Sequence, residues 1–364
     1  MDRVYFLLGQ MTHLRYFVPL VEECSRKNID CYFLIYFSFK YNCPGRHDKY
    51  LNKICKANKV KKIHLDDFAE QGQTIICIEP KSISQLKLYQ ENDVYVLTSQ
   101  FDYMHNYDYY ESYVKNVIFP SKWFIEKCTS FMGDKRISET KWTHEKITSP
   151  KNVFLGSPKY DVTLDKKSII HKYNLTEKSK VLFFFPAVSQ QDNMWVTKNP
   201  RGLSFGEIND IYKMLKSLDF EILVKSRLKH LIPQECNADR IFYDESWFPH
   251  TSAELIEVCD LAIMVDSTSI VECVLQKTPF INIGLINEKI RINAKNMTHE
   301  LMNYDFCENY DYTPKTNELK DKIKYLTNNN FDDQFDDVHK NYLFEVGSSS
   351  KKIIDFIETQ NNND

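Results

Sequence analysis

The segment from Leu261 to Gly284 carries the residues with the clearest chemical potential in the chain. An apolar strand pattern runs into Asp266, Ser267, Thr268 and Ser269, a short helix pattern follows, and a second apolar strand closes the segment. A helix that begins directly after a strand leaves unpaired backbone N–H groups and partial positive charge at its first turn. The serine and threonine hydroxyls can donate to the same anion, so the pattern predicts a phosphate-binding corner of an α/β sheet.

Glu272 lies one turn further along this predicted helix, three residues after Ser269 and four after Thr268. Residues at these spacings share a helix face, and a carboxylate there could accept hydrogen bonds from ribose hydroxyls. The same residues also fit an ordinary helix start, in which Ser267 or Thr268 caps the helix and Glu272 completes the capping arrangement. The residues alone leave both interpretations open.

Basic residues close a second predicted strand of the same half. Lys225 and Arg227 follow the apolar run that starts at Glu221, and Ser189 lies in the loop after the strand Val181 to Phe185. Ligands bind at the carboxyl ends of strands in open α/β sheets, and a guanidinium matches a diphosphate through two parallel hydrogen bonds. We therefore expect these side chains near the same phosphates. The alternative is that VKSRLKH is a solvated basic loop.

Candidate acid–base residues occur in the amino-terminal half. His13 lies in the loop after the first predicted strand, and its near-neutral pKa in free form suits a base that deprotonates a hydroxyl. Asp102 and His105, in TSQFDYMHNYDYY, follow another predicted strand and form a second candidate pair. A structural histidine and a polar tyrosine-rich loop are the alternatives for the two places.

Alternating strand and helix patterns must position these residues. A chain of 364 residues is too long for one ordinary core, which favours two α/β domains. Strands are predicted at Arg3 to Leu8, Cys31 to Phe37, Thr74 to Ile78, Val94 to Leu97 and Val117 to Phe119. Pro19 is expected near a helix start, so the first helix is predicted from about Val18, with Gly9 to Phe17 as a loop.

The second half repeats the alternation and gives a second doubly wound sheet. Its predicted elements are Val181 to Phe185, Ile208 to Leu218, Glu221 to Val224, Ala253 to Cys259, Leu261 to Val265, Ile270 to Leu275 and Phe280 to Ile283. The predicted domains are residues 1–150 and 151–345. Residues 346–364 are predicted to form a helix, Lys351 to Ile357, and an Asn-rich disordered tail, Asn361 to Asp364.

Composition narrows the classes of function. The formal net charge is -3, and no block of Lys or Arg is long enough for a nucleic-acid arm, so nucleic acid is not an expected partner. No apolar stretch reaches the ~20 residues of a membrane span, so we expect a cytoplasmic protein without an integral membrane segment. The 10 cysteines include no C-x-x-C pair, which predicts reduced, buried thiols.

The order of these motifs resembles the GT-B class of glycosyltransferases. VIFPSKWFIEKC (117–128), FLGSPKYD (154–161), KVLFFFP (180–186), ILVKSR (222–227) and the DSTSIVE corner are similar to the branch of CDP-glycerol glycerophosphotransferases and Kdo-transferases, over residues 1–290. The resemblance implies two Rossmann-like α/β domains facing each other across a cleft.

The resemblance also implies roles for particular residues. The carboxyl-terminal domain would hold the nucleotide donor, with phosphate contacts from Lys225, Arg227 and the residues Ser267, Thr268 and Ser269, and with Glu272 on the ribose. His13 would be the base. No Asp-x-Asp sequence occurs in the chain, so neither a metal nor another cofactor is expected, and helix dipoles and basic residues would stabilise the leaving diphosphate.

The expected function is transfer of a sugar from a nucleotide sugar to a hydroxyl of a glycan or lipid-linked acceptor. Transfer of glycerol phosphate from CDP-glycerol and 2-epimerisation of UDP-N-acetylglucosamine are the alternatives within the fold, although TSQFDYMH and KSRLKH replace the His-Gly and His-Pro segments of the former. A third hypothesis is an inactive binding or assembly protein. The expected partners include a second copy of the chain, as a homodimer.

Overall fold

The computed structural model describes most of the chain. It describes residues 1–36, 44–78, 86–98, 113–121, 149–185, 203, 205–226, 232, 236–244, 246–265, 267, 269–284, 304–311, 316–341 and 347–363. By their contacts the residues divide into two compact units. The first unit comprises Met1–Thr163 together with Tyr342–Asp364, and the second comprises Leu164–Asn341. The division therefore falls after Thr163 rather than near residue 150.

The first unit is built on a parallel sheet. Its described strands are β1 (Arg3–Leu8), β2 (Asp30–Ile35), β3 (Lys61–His64), β4 (Thr74–Ile78), β5 (Asp93–Leu97), β6 (Asn116–Phe119) and β7 (Asn152–Phe154), in the order β3-β2-β1-β4-β5-β6-β7. Val4 to Leu8 of the central strand are all buried, as expected for a parallel strand covered on both faces. The predicted strands of this half are confirmed to within two residues at each end.

Helices and short 3-10 turns connect these strands. The helices are α1 (Leu14–Arg26), α2 (Pro44–Ala57) and α3 (Leu86–Glu91), and the 3-10 turns are Met11–His13, Leu65–Asp67 and Pro158–Tyr160.

The predicted start of the first helix is wrong. Helix α1 begins at Leu14 and contains Pro19 in its interior, so the segment predicted as a loop from Gly9 to Phe17 is largely helical. Proline removes one intrahelical hydrogen bond. Burial offsets this loss, because the Phe17 ring packs on Phe6 of β1 with ring centroids 5.2 Å apart. Tertiary packing thus extends the helix by one turn beyond the point that local preference favours.

The second unit is built on another parallel sheet. Its described strands are β8 (Lys180–Phe184), β9 (Glu221–Lys225), β10 (Arg240–Phe242), β11 (Leu261–Met264), β12 (Phe280–Gly284) and β13 (Cys307–Asp311), in the order β10-β9-β8-β11-β12-β13. The helices are α4 (Lys166–Tyr173), α5 (Phe205–Ser217), α6 (Thr251–Val258), α7 (Ile270–Leu275), α8 (Thr316–Asn328) and α9 (Asp332–Asn341). The predicted elements of this half match the observed ones closely.

Several elements were not predicted. The polar region before the carboxyl-terminal helix forms α8 and α9, whose apolar residues are spaced for one buried stripe: Leu319, Ile323 and Leu326 on α8 are buried. Strand β7 pairs with β6 in the first sheet, although the predicted domain ranges place its residues in the second domain. A strand of three residues is too short to give a sequence pattern.

The carboxyl-terminal helix α10 (Ser349–Asn363) belongs to the first unit. The Asp161 carboxylate accepts hydrogen bonds from the backbone N–H groups of Ser349 and Ser350 and so caps the helix. At the other end the Asn361 side chain donates to the Thr74 hydroxyl at 2.8 Å. The tail predicted to be disordered is therefore helical through Asn363, and the Asn361 amide attaches it to the first sheet.

None of the described cysteines is in a disulfide. All but the half-buried Cys236 are buried, as predicted. Among the described helices, none is long and apolar enough to cross a membrane.

Candidate functional site

Both sheets reverse their strand order at one point. In the first sheet, the chain continues from β1 to β2 on one side, and β4 lies on the other side of β1. In the second sheet, the chain continues from β8 to β9 on one side, and β11 lies on the other side of β8. The loops beyond the carboxyl ends of the two strands at such a point diverge and leave a crevice, which is where open α/β sheets bind ligands. Each unit therefore has one place where the topology favours a ligand site.

His13 lies at this place in the first unit. It ends the 3-10 turn that follows β1 and directly precedes α1, and only 8% of it is exposed. Its ring stands edge-on to Phe17, with ring centroids 6.0 Å apart. The Gly9 N–H donates to Nδ1 of His13 at 3.4 Å, so the loop fixes the orientation of the ring.

The contact from Gly9 also bears on the chemistry of His13. In a neutral imidazole one nitrogen carries the proton and the other accepts. Because Nδ1 accepts from Gly9, the ring proton of the neutral form resides on Nε2, which is then a hydrogen-bond donor. Nε2 can accept a proton as a base only when the ring proton lies on Nδ1. Nδ1 would then have to give up the contact from Gly9 and donate to another group.

Gly9 and Tyr36 form a close contact in the same loop. A Cβ added to Gly9 would lie 1.9 Å from the Tyr36 hydroxyl oxygen, which is far inside contact distance. A larger residue at position 9 would therefore require the Tyr36 ring to move. This contact was not predicted, because the sequence does not show that the end of β2 crosses the loop after β1.

The predicted donor corner, which comprises Ser267 and Ser269 in the described residues, lies at the corresponding place in the second unit. Ser267 and Ser269 follow β11 and precede α7, as predicted. The Ser269 N–H donates to the Ser267 hydroxyl oxygen at 3.2 Å. The Ser267 hydroxyl oxygen thus satisfies one backbone N–H of the corner, which agrees in part with the capping alternative. The Ser267 O–H can still donate to an anion.

Glu272 is buried on α7, with 9% of it exposed. In a capping box its carboxylate would accept from the backbone N–H of Ser269, the residue at the helix N-cap. That N–H is bonded to Ser267 instead. The capping explanation therefore accounts for Ser267 and not for Glu272.

Lys225 ends β9 at the same edge of the sheet as the donor corner. It lies level with Phe184 of β8, which in turn lies level with Met264 of β11. Two strand spacings place Lys225 about 10 Å from the end of β11. Its ammonium donates to the Asp244 carboxylate at 2.8 Å and to the Ser226 carbonyl at 2.6 Å, and its side chain is 4% exposed. The predicted phosphate ligand is thus engaged in a buried ion pair.

His250 completes this cluster. Its Nε2 lies 3.4 Å from the Asp244 carboxylate, and its Nδ1 accepts from the Ser252 N–H at the start of α6. Burial by itself would raise the pKa of Asp244, but the hydrogen bond from His250 and the charge of Lys225 hold that pKa well below its usual range. Asp244 is therefore a carboxylate at neutral pH. We call Lys225, Asp244 and His250 the Lys225 triad.

The Lys225 triad was not predicted from the sequence. Asp244 follows the three-residue strand β10, and His250 precedes α6, so neither stands in a recognisable motif. The signal in the sequence was the placement of both residues next to element ends in the second half of the chain.

Five of the predicted site residues lie outside the described residues. These are Asp102, His105, Ser189, Arg227 and Thr268. Of the predicted set the structure brings Lys225, Ser267, Ser269 and Glu272 to one sheet edge, and places His13 at the switch point of the other sheet. Among the described side chains no group of His, Cys, Asp and Glu is arranged to hold a metal ion.

Solved structures share this fold over almost the whole chain. A variant of the wall teichoic acid polymerase TagF soaked with CDPG matches with a TM-score of 0.65 and 15% identity, over 99% of this chain and 88% of that one. The UDP-GlcNAc 2-epimerase of Neisseria meningitidis, bound to UDP-GlcNAc, matches with a TM-score of 0.59 and 12% identity, over 98% and 100% of the chains.

A glycotransferase of kitacinnamycin also matches, with a TM-score of 0.55 and 8% identity over 98% of both chains. No family model matches the sequence, and no curated protein matches it either. The sequence is therefore remote from these proteins while the path of the backbone is shared. Two Rossmann-like α/β domains, each with its strand order reversed once, give this chain the GT-B type of fold, as in TagF and the UDP-GlcNAc 2-epimerases.

Proposed function

We propose that the protein is a glycosyltransferase that moves a sugar from a nucleotide sugar to a hydroxyl of a glycan or lipid-linked acceptor. One observation carries this proposal. His13 follows β1, and Ser267 and Ser269 follow β11, at the strand ends where the two sheets reverse their strand order. Ligands of open α/β sheets bind at such points.

In this proposal the second unit binds the donor. The Ser267 hydroxyl and the backbone N–H groups of the corner bind the diphosphate, and the buried Glu272 accepts from the ribose hydroxyls. The same donors stabilise the nucleotide diphosphate as it leaves, which gives electrostatic catalysis without a metal ion. The first unit binds the acceptor, and His13 acts on its hydroxyl. We propose that the reaction takes place in the cytoplasm.

Lys225 takes a different part from the one predicted. Because its ammonium is held by Asp244, it acts as a positioning residue for the sheet edge rather than as a phosphate ligand. The ion pair fixes the end of β9 against the segment after β10. Arg227 remains the proposed guanidinium contact to the diphosphate.

Transfer of glycerol phosphate from CDP-glycerol is the second candidate. The matching structure of TagF soaked with CDPG favours it, since it combines this fold with an activated donor of that kind. The two candidates share the diphosphate and ribose contacts and differ in the group transferred.

Thermal stabilisation by a ligand panel tests the proposal. We expect the protein, without added metal, to be stabilised by one nucleoside diphosphate and its sugar conjugate among UDP, GDP, CDP and dTDP, because a ligand at about 100 times its Kd contributes about 2.7 kcal/mol. CDP and CDP-glycerol as the only stabilising pair would select the second candidate. Absence of stabilisation by every compound contradicts donor binding and favours a non-catalytic assembly protein.

Glu272→Ala is expected to weaken binding of the selected nucleotide by about 1–3 kcal/mol, because a charged hydrogen bond to ribose is lost. Calorimetric titration of the folded variant measures this. The deoxyribose analogue of the same nucleotide is the control, since it lacks a hydroxyl. The wild type should bind the analogue more weakly, whereas the variant should bind both nucleotides alike. Equal affinities of wild type and variant would remove Glu272 from the ribose site.

A further inference from the structure

The first unit carries a strongly basic surface on helix α2 and the edge strand β3. Residues 49–64 contain six lysines and no Asp or Glu, in a chain whose net charge is -3. The six lysines are Lys49, Lys53, Lys56, Lys59, Lys61 and Lys62, and all are exposed. Such a separation of charge within one segment is not required by the fold.

Helix α2 places three of these lysines in one row. Lys49, Lys53 and Lys56 follow each other at spacings of four and three residues, which align on a helix surface. Leu51 and Cys55 are buried on the opposite side. Asp48 lies about 100° around the helix from Lys49 and so stays outside the row.

The edge of the sheet extends this row. Lys59 is exposed in the turn after α2, and the Lys62 ammonium donates to the Asn52 side chain of α2 at 2.6 Å. Lys62 of the edge strand β3 thus lies on the α2 side of the sheet. Lys61 points to the other side, where it donates to the Tyr32 hydroxyl. We call Lys49, Lys53, Lys56, Lys59 and Lys62 the lysine face.

The charge of the lysine face is not neutralised within the described part of the chain. None of its five ammonium groups is in an ion pair with a described carboxylate, whereas other lysines on the surface are, such as Lys178 with Asp219 and Lys213 with Asp210. Like charges at these helix spacings repel one another and destabilise α2 slightly. An external anionic partner would relieve that repulsion.

We propose that the lysine face binds the surface of an anionic phospholipid bilayer. Clusters of four to eight basic residues on an exposed helix bind acidic lipid headgroups, and each contributes about fivefold in affinity while it lies near the surface. The row on α2 spans about 10 Å along the helix, enough to meet several headgroups. The first unit would then be held at a membrane by a surface remote from its switch point.

The composition of the face favours a bilayer over RNA. Sites for single-stranded RNA interleave aromatic side chains and arginines with their basic residues, because bases stack on planar groups. The lysine face consists of flexible point charges, and the row on α2 is convex. Lysine ammonium groups at varied depth suit a fluid array of phosphates, which requires no fixed geometry.

Vesicle sedimentation of the full chain tests the proposal. The wild type should bind vesicles of phosphatidylcholine with phosphatidylglycerol, bind those of phosphatidylcholine alone far more weakly, and dissociate as salt is added. The variant Lys49→Glu/Lys53→Glu/Lys56→Glu should bind the anionic vesicles at least about 100-fold more weakly. Glutamate favours a helix about as well as lysine, and a thermal melt checks that the variant is folded.

The matched control is Lys166→Glu/Lys167→Glu/Lys324→Glu. It makes the same change in net charge at exposed lysines outside the lysine face, and it should weaken binding by less than about threefold, because salt screens charges that do not belong to the binding surface. Equal losses in the two variants would overturn the proposal, since the lysine face would then not be the binding surface. Wild-type protein that sediments with polyuridylate but not with anionic vesicles would overturn it as well.

Discussion

His13→Ala is expected to lower turnover by about 10²- to 10⁴-fold, the contribution of a positioned acid–base group. His13 is held by its contact with Gly9 at the carboxyl end of β1, so the variant should lose a group that acts on the acceptor and leave the donor corner unchanged. The measurement is steady-state turnover of the donor that the ligand panel selects, together with calorimetric affinity for its nucleotide. Turnover within a few-fold of the wild type would exclude His13 and direct attention to Asp102 and His105.

His13→Gln separates the two roles open to the ring. A glutamine amide can donate from about the position of Nε2 but cannot act as a base near neutral pH. If Nε2–H serves as a donor, as the contact from Gly9 favours, His13→Gln should retain at least a tenth of the activity. If the ring must take a proton, His13→Gln should be as inactive as His13→Ala. Unchanged nucleotide affinity in both variants is the control for folding of the donor site.

Asp244→Ala is expected to reduce the free energy of unfolding of the second unit by about 3–5 kcal/mol, because it leaves the buried Lys225 ammonium without its carboxylate. The pair is 2.8 Å apart, with the two side chains only 4% and 11% exposed. Urea denaturation followed by far-UV circular dichroism measures the loss. Nucleotide affinity should fall with it, because Lys225 and Asp244 fix the sheet edge that carries the donor corner.

A double substitution and a surface control sharpen this prediction. Lys225→Met/Asp244→Leu removes both charges and should recover most of the stability, since apolar replacements of a buried pair are commonly neutral. Lys213→Met breaks an exposed pair with Asp210, 3.0 Å apart, and should cost less than about 1 kcal/mol. A loss of the same small size for Asp244→Ala would show that the triad is solvated and does not support the edge.

The low pKa of Asp244 also predicts a pH dependence. The pKa of the folded carboxyl lies below its ordinary value of 3.8, so the folded state binds fewer protons than the unfolded state in the range between them. The contribution of Asp244 is therefore complete above pH 3.8 and is lost as the pH falls through the folded pKa. The stability difference between wild type and Asp244→Asn should be constant near neutral pH and should narrow only below pH 3.8.

The sequence by itself determined the class of fold and most of its elements. Continuous apolar runs such as Leu261 to Met264 are long enough to specify buried parallel strands, and their alternation with helical patterns specifies two doubly wound sheets. The donor corner was predicted for the same reason, because a strand followed at once by hydroxyl residues and a helix is a local pattern. Such patterns depend only on residues that are close together in the sequence, so the periodicity of apolar residues predicts them.

Only the tertiary structure decided what depends on distant segments. Pro19 stands inside α1 because the helix packs on β1, and the Asn-rich tail is helical because Asn361 binds Thr74. The partner of Lys225 is Asp244, 19 residues away, on a neighbouring strand end. The tautomer of His13 follows from the hydrogen bond that the Gly9 N–H donates to Nδ1, in a loop that Tyr36 also contacts. Pairings of this kind arise when strands come together in a sheet, so they leave no period or spacing in the chain.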